Sequence, residues 1–195
     1  MEKSAVPEKS PSKHETRERE ARRRVLADDK DLRARAQLAD ALLCPDRLQE
    51  ASLEFAKVAV ANQTHPAAHK GLAAIANYFG HPRRGRRIMQ DFYERVPVEL
   101  DPYGADRPEA ERPPAIVQIR GFDKTRIMLG SRSDGSISTK LRGGHFTTKF
   151  LLLDPPFQVH RFTISRGNIL RPDVMPPHSL ILNTIADADI EGSSL

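Results

Sequence analysis

The chain has 195 residues, 38% of them hydrophobic, and 31 lysines and arginines against 26 acidic residues, for a formal charge of +5. Its single cysteine, Cys44, excludes an intrachain disulfide and a zinc site built on several thiolates, and fits a reducing compartment. No window approaches the roughly 18 consecutive apolar residues that span a bilayer, and the polar amino terminus lacks the apolar stretch of a secretion signal, so a cytoplasmic location is expected.

The charge is spread along the chain. Residues 1–30 hold nine Lys/Arg against seven Asp/Glu, residues 31–97 ten against seven, residues 98–114 two against five, and residues 115–195 ten against seven. No segment is a concentrated basic domain, so composition gives nucleic acid little support as a partner.

Residues 1–11 are rich in Pro, Ser, Lys and Glu and read as a disordered tail. Ser12-Lys13-His14-Glu15 has the spacing of a capping box, in which two side chains satisfy orphan N–H groups reciprocally. A charged helix is therefore expected within residues 12–30, ending near Ala27. Its Arg22-Arg23-Arg24 run reads as a solvated face.

The next segment carries the clearest pattern. At a spacing of 34 residues, Leu38-Ala39 falls on Leu72-Ala73, Leu42 on Ala76, Ala51 on Gly85, Phe55 on Met89 and Val58 on Phe92. Small residues at Ala39/Ala73 and Ala51/Gly85 let paired helices approach, while Phe55 and Met89 fill the groove between them. Pro45-Asp46 and Gly80-His81-Pro82 punctuate the two copies at nearly equivalent places, and Pro97 closes the second. Residues 31–97 thus resemble two tetratricopeptide repeats, with generic paired helices as the plainer alternative. The first copy has Gln63 where the family pattern has proline. Val58 and Phe92 stand where it has alanine. Two repeats are too few to stand alone, so the leading helix or the following domain should cap them.

The resemblance implies a partner-binding groove lined by the first helix of each repeat. Arg33, Asp40, Lys70, Asn77 and Tyr78 match its groove-facing positions; the alternative for each is a helix-solvating role. Arg83, Arg84, Arg86 and Arg87 open the last helix of this array. Cations there oppose the helix macrodipole, which points to an anionic partner or a complementary acidic patch, with solvated surface as the alternative.

Residues 98–114 are acidic, Pro-rich and aperiodic and read as a linker. Beyond it the pattern turns to strands: 115–119, then 126–129 and 137–141 around the Asp134-Gly135 hairpin signal, then 145–153, 157–164 and a buried strand at 180–185. Residues 115–195 are therefore a β-rich domain. The chain as a whole is α+β.

The search for chemistry along the sequence finds no Ser-His-Asp order, no His cluster of metal grade and no phosphate-cradling loop of Walker type. Arg142-Gly143-Gly144-His145 lies between strand-like segments and reads as a tight turn rather than a phosphate cradle. Asp187-Ala188-Asp189-Ile190-Glu191-Gly192 matches the opening of an EF-hand loop, without an entering helix. Helix capping by Asp189, or a ligand site at a strand end, are its other readings.

A second resemblance rests on Ile119-Arg120-Gly121-Phe122-Asp123, Gly130-Ser131-Arg132-Ser133-Asp134-Gly135, Leu141-Arg142-Gly143-Gly144-His145-Phe146-Thr147-Thr148 and Leu182-Asn183-Thr184-Ile185-Ala186-Asp187. These phrases are similar to the region between the repeats and the ATP-grasp-like half of certain bacterial tetratricopeptide proteins. The resemblance implies an incomplete pre-ATP-grasp α/β domain, with the nucleotide and magnesium residues falling after Leu195. On that basis the chain is expected to be non-catalytic, to bind no cofactor or metal, and to act through a protein or peptide partner. An ATP-dependent ligase fragment and nucleic-acid binding through the Arg-rich helix are the alternatives. A final strand left without a covering helix would also invite self-association.

Overall fold

A computed structural model describes residues 13–101, 103, 106–108, 111–122, 126–132, 136–142, 157–165 and 172–184. Five helices come first: α1 (Lys13–Ala27), α2 (Leu32–Ala41), α3 (Leu48–Ala61), α4 (Pro66–Tyr78) and α5 (Pro82–Arg95). Strands follow: β1 (Val98–Glu99), β2 (Ala115–Gly121), β3 (Arg126–Ser131), β4 (Ile137–Arg142), β5 (Gln158–Ile164) and β6 (Leu180–Asn183). The class is α+β. The chain divides into two units, one of residues 1–71 with 130–138, the other of residues 72–129 with 139–195.

In the first unit the leading helix α1 packs on α2, and α2 on α3. Asp31 starts α2 by accepting the Ala34 N–H at 2.8 Å, which satisfies one orphan donor of the first turn. A 3-10 turn at Pro45–Arg47 separates α2 from α3, where Pro45-Asp46 predicts a break. Ala34, Ala39, Leu42, Leu43, Leu48, Ala51, Phe55 and Val58 are all essentially without exposure. The buried positions of α3 (Ala51, Phe55, Val58) recur at i, i+4 and i+7, the spacing of one helical face. Arg35 crosses to Glu54 at 2.7 Å in a pair of which each side chain is less than a sixth exposed.

In the second unit α4 ends in a glycine cap. The Gly80 N–H bonds the Asn77 carbonyl at 3.1 Å and the His81 N–H bonds the Ala76 carbonyl at 2.8 Å. This double bond pattern needs a left-handed residue, and Gly80 supplies it at φ 78°. Pro82 then opens α5. Where α5 meets α4, a Cβ at Gly85 would stand 2.8 Å from the Ala73 carbonyl oxygen, so only glycine allows that approach. Ala73, Ala74, Met89, Phe92 and Tyr93 form a core with Phe122 and Ile127.

The sheet of this unit runs β1-β5-β2-β6. β5, β2 and β6 are parallel, and β1 is antiparallel to β5. Its core is Val117, Ile119 and Phe162. β3 and β4 pair separately, flanking the Asp-Gly signal as expected.

Two expectations need correction. The segment read as a linker supplies β1, and Val98 packs against the sheet core. Asp101 Oδ2 accepts the Val159 N–H at 2.9 Å, and Gln158 donates to the Tyr103 carbonyl at 2.6 Å. Composition marks this stretch as linker because its ties run through main-chain groups. The strand at 180–185 was expected to be buried, yet Leu180 and Ile181 are 59% and 42% exposed. β6 is the outer strand of the order and pairs with β2, so its apolar run does not place it in the core. The expected tail at 1–11, the strand at 145–153, and the Gly143-Gly144 turn lie outside the described residues.

Ala51 is fully buried in the helix contact. Ala51→Leu should lower stability by about 1–3 kcal/mol through overpacking, and Gly85→Ala should do the same against the Ala73 carbonyl. Leu53, more than half exposed, is the control: Leu53→Ala should stay within about 0.5 kcal/mol. Urea titration followed by circular dichroism reads all three, and an unchanged Ala51→Leu midpoint would refute the close helix contact.

Candidate functional site

The first unit carries a cleft of about 730 Å³. α1 presents His14, Arg17, Glu20, Ala21 and Arg24 to it, and α2 presents Arg33, Ala36, Gln37, Asp40 and Ala41. His65 and Ala67 from the start of α4, and Arg132, complete the wall. On α1, residues 17, 21 and 24 fall at i, i+4 and i+7. On α2, residues 33, 36, 37, 40 and 41 form the matching stripe. The floor is small and apolar: Ala21, Ala36 and Ala41 are each buried.

The charged groups of the cleft differ in what they already hold. Arg24 is engaged, with Asp31 at 2.8 Å and Gln37 at 3.0 Å. Asp40 is paired with Arg132 at 3.3 Å, a contact of two half-exposed side chains worth at most about 1 kcal/mol. Arg17 and Arg33 are exposed, and neither has a carboxylate partner among the described residues. His65 is a cap: its Nδ1 faces the Ala68 N–H at 3.4 Å. Burial holds its pKa below the ordinary imidazole value, with a smaller contribution from His69. The cleft therefore offers two open guanidiniums above an alanine floor.

Of the groove positions expected from the repeat pattern, Arg33 and Asp40 line this cleft. Lys70 is half-buried and Tyr78 is exposed. Asn77 is not available for a partner in the expected way, because its amide donates to the Ile127 carbonyl, which ties α4 to β3. Arg83, Arg84, Arg86 and Arg87 are exposed in the first two turns of α5, as expected. The Asp187/Asp189/Glu191 cluster lies outside the described residues. Sequence reading missed Arg17, Arg24, His65 and Arg132 as wall residues. For Arg17 and Arg24 the i, i+4, i+7 stripe on α1 carried the signal.

A second cleft, of about 630 Å³, opens beside the starts of β2, β5 and β6 and contains Asp101, Arg112, His160 and His178. It has the residue types of a catalytic site without the geometry. Both Asp101 carboxylate oxygens accept main-chain N–H groups, from Tyr103 at 3.1 Å and Val159 at 2.9 Å. Burial alone would raise the Asp101 pKa, but those two N–H donors outweigh it and hold the carboxyl below its ordinary value. His160 Nδ1 accepts the Asp101 N–H at 3.1 Å, so that nitrogen is unprotonated. Asp101 and His160 thus brace the strand ends. Among the described residues no group of three His, Cys, Asp or Glu is placed to hold a metal ion, and no helix is long and apolar enough to cross a membrane.

The chain matches no protein-family model, no curated protein and no solved structure.

Burial lowers the His160 pKa, against the opposing pull of Asp101 and with His178 acting in the same direction as burial. Its folded value lies below the unfolded one of about 6.5, so the unfolded chain binds the proton first. Its stabilising contribution is full above about pH 6.5 and is lost as pH falls through the folded value. Urea midpoints should therefore drop between about pH 7 and pH 5, and His160→Gln should flatten that drop. An equal drop in the variant would remove His160 from the account.

Proposed function

We propose that this chain is a tetratricopeptide-like interaction protein whose α1–α2 cleft takes an acidic segment of a partner protein. The observation that carries the reading is the pair of exposed arginines, Arg17 and Arg33, facing the same cleft without carboxylate partners among the described residues. Guanidinium groups offer a planar fork that matches carboxylates bidentately. The alanine floor leaves space for a peptide backbone without selecting a bulky side chain. Arg132, weakly held by Asp40, is placed to exchange that carboxylate for one of the partner's.

The same features support a non-catalytic role. Among the described residues that line the cleft no nucleophile sits beside a general base, and the half-buried His65 serves as a helix cap. Electrostatic recognition of this kind sets association rate and specificity, and it weakens as salt rises.

A fluorescein-labelled peptide of alternating Glu, Asp and Ala should bind saturably in an anisotropy titration, and more weakly with added salt. The double variant Arg17→Glu/Arg33→Glu should weaken it by about tenfold or more, as expected when close charge pairs are reversed. Arg23→Glu, exposed on α1 but outside the cleft, should leave binding nearly unchanged. Equal loss in both variants would mean that net charge alone is being read.

A further inference from the structure

The corner between α4 and α5 combines features that the peptide cleft lacks. Between Glu54 and Asp91 the chain has no acidic residue, while Lys57, Lys70, Arg83, Arg84, Arg86 and Arg87 all fall in that interval. The four arginines are exposed, and none has an ion-pair partner among the described residues. Buried Gly85 sits between them, so the helix turns its small face to α4 and carries the cations on both flanks.

Two aromatic side chains precede this patch in sequence, on the α4 side of the turn. Tyr78 and Phe79 are 53% and 47% exposed, in an edge-to-face pair with centroids 5.5 Å apart. Together they leave two neighbouring rings open to solvent at the end of α4. The Gly80 cap and Pro82 fix the backbone between the aromatics and the arginines. An open cleft of about 520 Å³ lies at the turn, lined by Gly80, His81, Pro82, Arg83 and Arg84.

We infer that this corner binds single-stranded nucleic acid. Guanidiniums track the phosphates, and exposed rings give bases a stacking platform, the pairing of features that sequence-tolerant single-strand binders use. An acidic protein surface would satisfy the arginines but leave the rings without a role. A duplex would satisfy the arginines while keeping its bases stacked on one another. The even spread of charge along the chain conceals the site, because acidic residues elsewhere balance the sum while this corner holds none.

The test uses the full chain and fluorescein-labelled oligo-dT and oligo-U of about 12 nucleotides, within the site sizes such surfaces cover. Saturable binding is expected, with log K falling against log salt at a slope of about −2 to −3 for three or four neutralised phosphates. Arg83→Gln/Arg84→Gln should reduce that slope and weaken binding. Tyr78→Ala/Phe79→Ala should weaken binding by about tenfold or more with the slope unchanged, and thermal melts should show both variants folded. Arg17→Glu/Arg33→Glu should retain oligonucleotide binding, which separates this site from the peptide cleft. The inference is overturned by absent binding, by tighter binding of a duplex or of the acidic peptide at this corner, or by an aromatic double variant that binds as well as the parent.

Discussion

Asn77 stands where three elements of the second unit meet. Its amide donates to the Ile127 carbonyl of β3, and its Oδ1 occupies the space beside Gly85 that a Cβ would need, 2.5 Å away. The arrangement is mutually dependent. Glycine at 85 lets α5 reach α4, and that approach carries Met89, Phe92 and Tyr93 into a core with Phe122 and Ile127. The partly buried amide loses water on making this bond, so leaving it without its carbonyl would be unfavourable, and the hydrogen bond and the close contact hold one another in place. The orientation of α5 follows: with positions 85, 89, 92 and 93 inward, Arg83, Arg84, Arg86 and Arg87 have only solvent to face.

Arginines elsewhere in the chain show what a structural role looks like. Arg35 reaches Glu54, and Arg47 joins Glu18 at 2.8 Å and Glu50 at 3.0 Å. Burial alone would raise the Glu18 and Glu54 carboxyls, but the arginines on Glu18, and Lys57 with Arg35 on Glu54, reverse the sign and hold both below the usual range. These pairs fasten α1 to the turn before α3, and α2 to α3. Removing one member of a partly buried pair leaves its partner's charge uncompensated. Arg17, Arg33 and the α5 cluster belong to no such arrangement among the described residues. They add charge to the surface without an ion pair to fasten one element to another, which is what the proposed binding readings build on.

Much of the helical half was legible because its signals are local. The alternation of large and small residues placed Ala51, Phe55, Gly85 and Met89 in close helix contacts, and Pro45 and Gly80-His81-Pro82 marked breaks that the structure shows. The strand half was legible only in part. Segments 115–119, 126–129, 137–141 and 157–164 announce themselves by composition, but their pairing does not. Parallel neighbours are set by contacts distant in sequence, so nothing in Leu180-Ile181-Leu182 distinguishes an edge strand from a central one. The ties of Asp101 and Tyr103 to β5 were hidden for a related reason: the Asp101 and Gln158 side chains bond to main-chain groups of their partners, which every residue carries. Of the candidate groove, Arg33 and Asp40 were found through the repeat pattern, while the α1 wall stayed hidden because Arg17 and Ala21 repeat no motif.

The two candidate surfaces differ in chemistry, and the proposed occupants differ accordingly. The α1–α2 cleft has an alanine floor and no aromatic wall, so it offers a base no stacking surface, whereas an extended peptide needs only room and opposite charge. The α4–α5 corner has exposed rings and a denser set of cations, and its turn is fixed by a glycine cap and a proline. A flexible single strand loses conformational freedom on either surface, and preorganised partners reduce what remains to be ordered. In the cleft, the Asp40–Arg132 pair makes a different selection. A partner carboxylate must displace Asp40 to reach Arg132, whereas a phosphate chain would bring its charges past Asp40 without relief. Under the proposed function, Asp40 would therefore disfavour polyanions of uniform charge relative to peptides whose acidic groups are spaced.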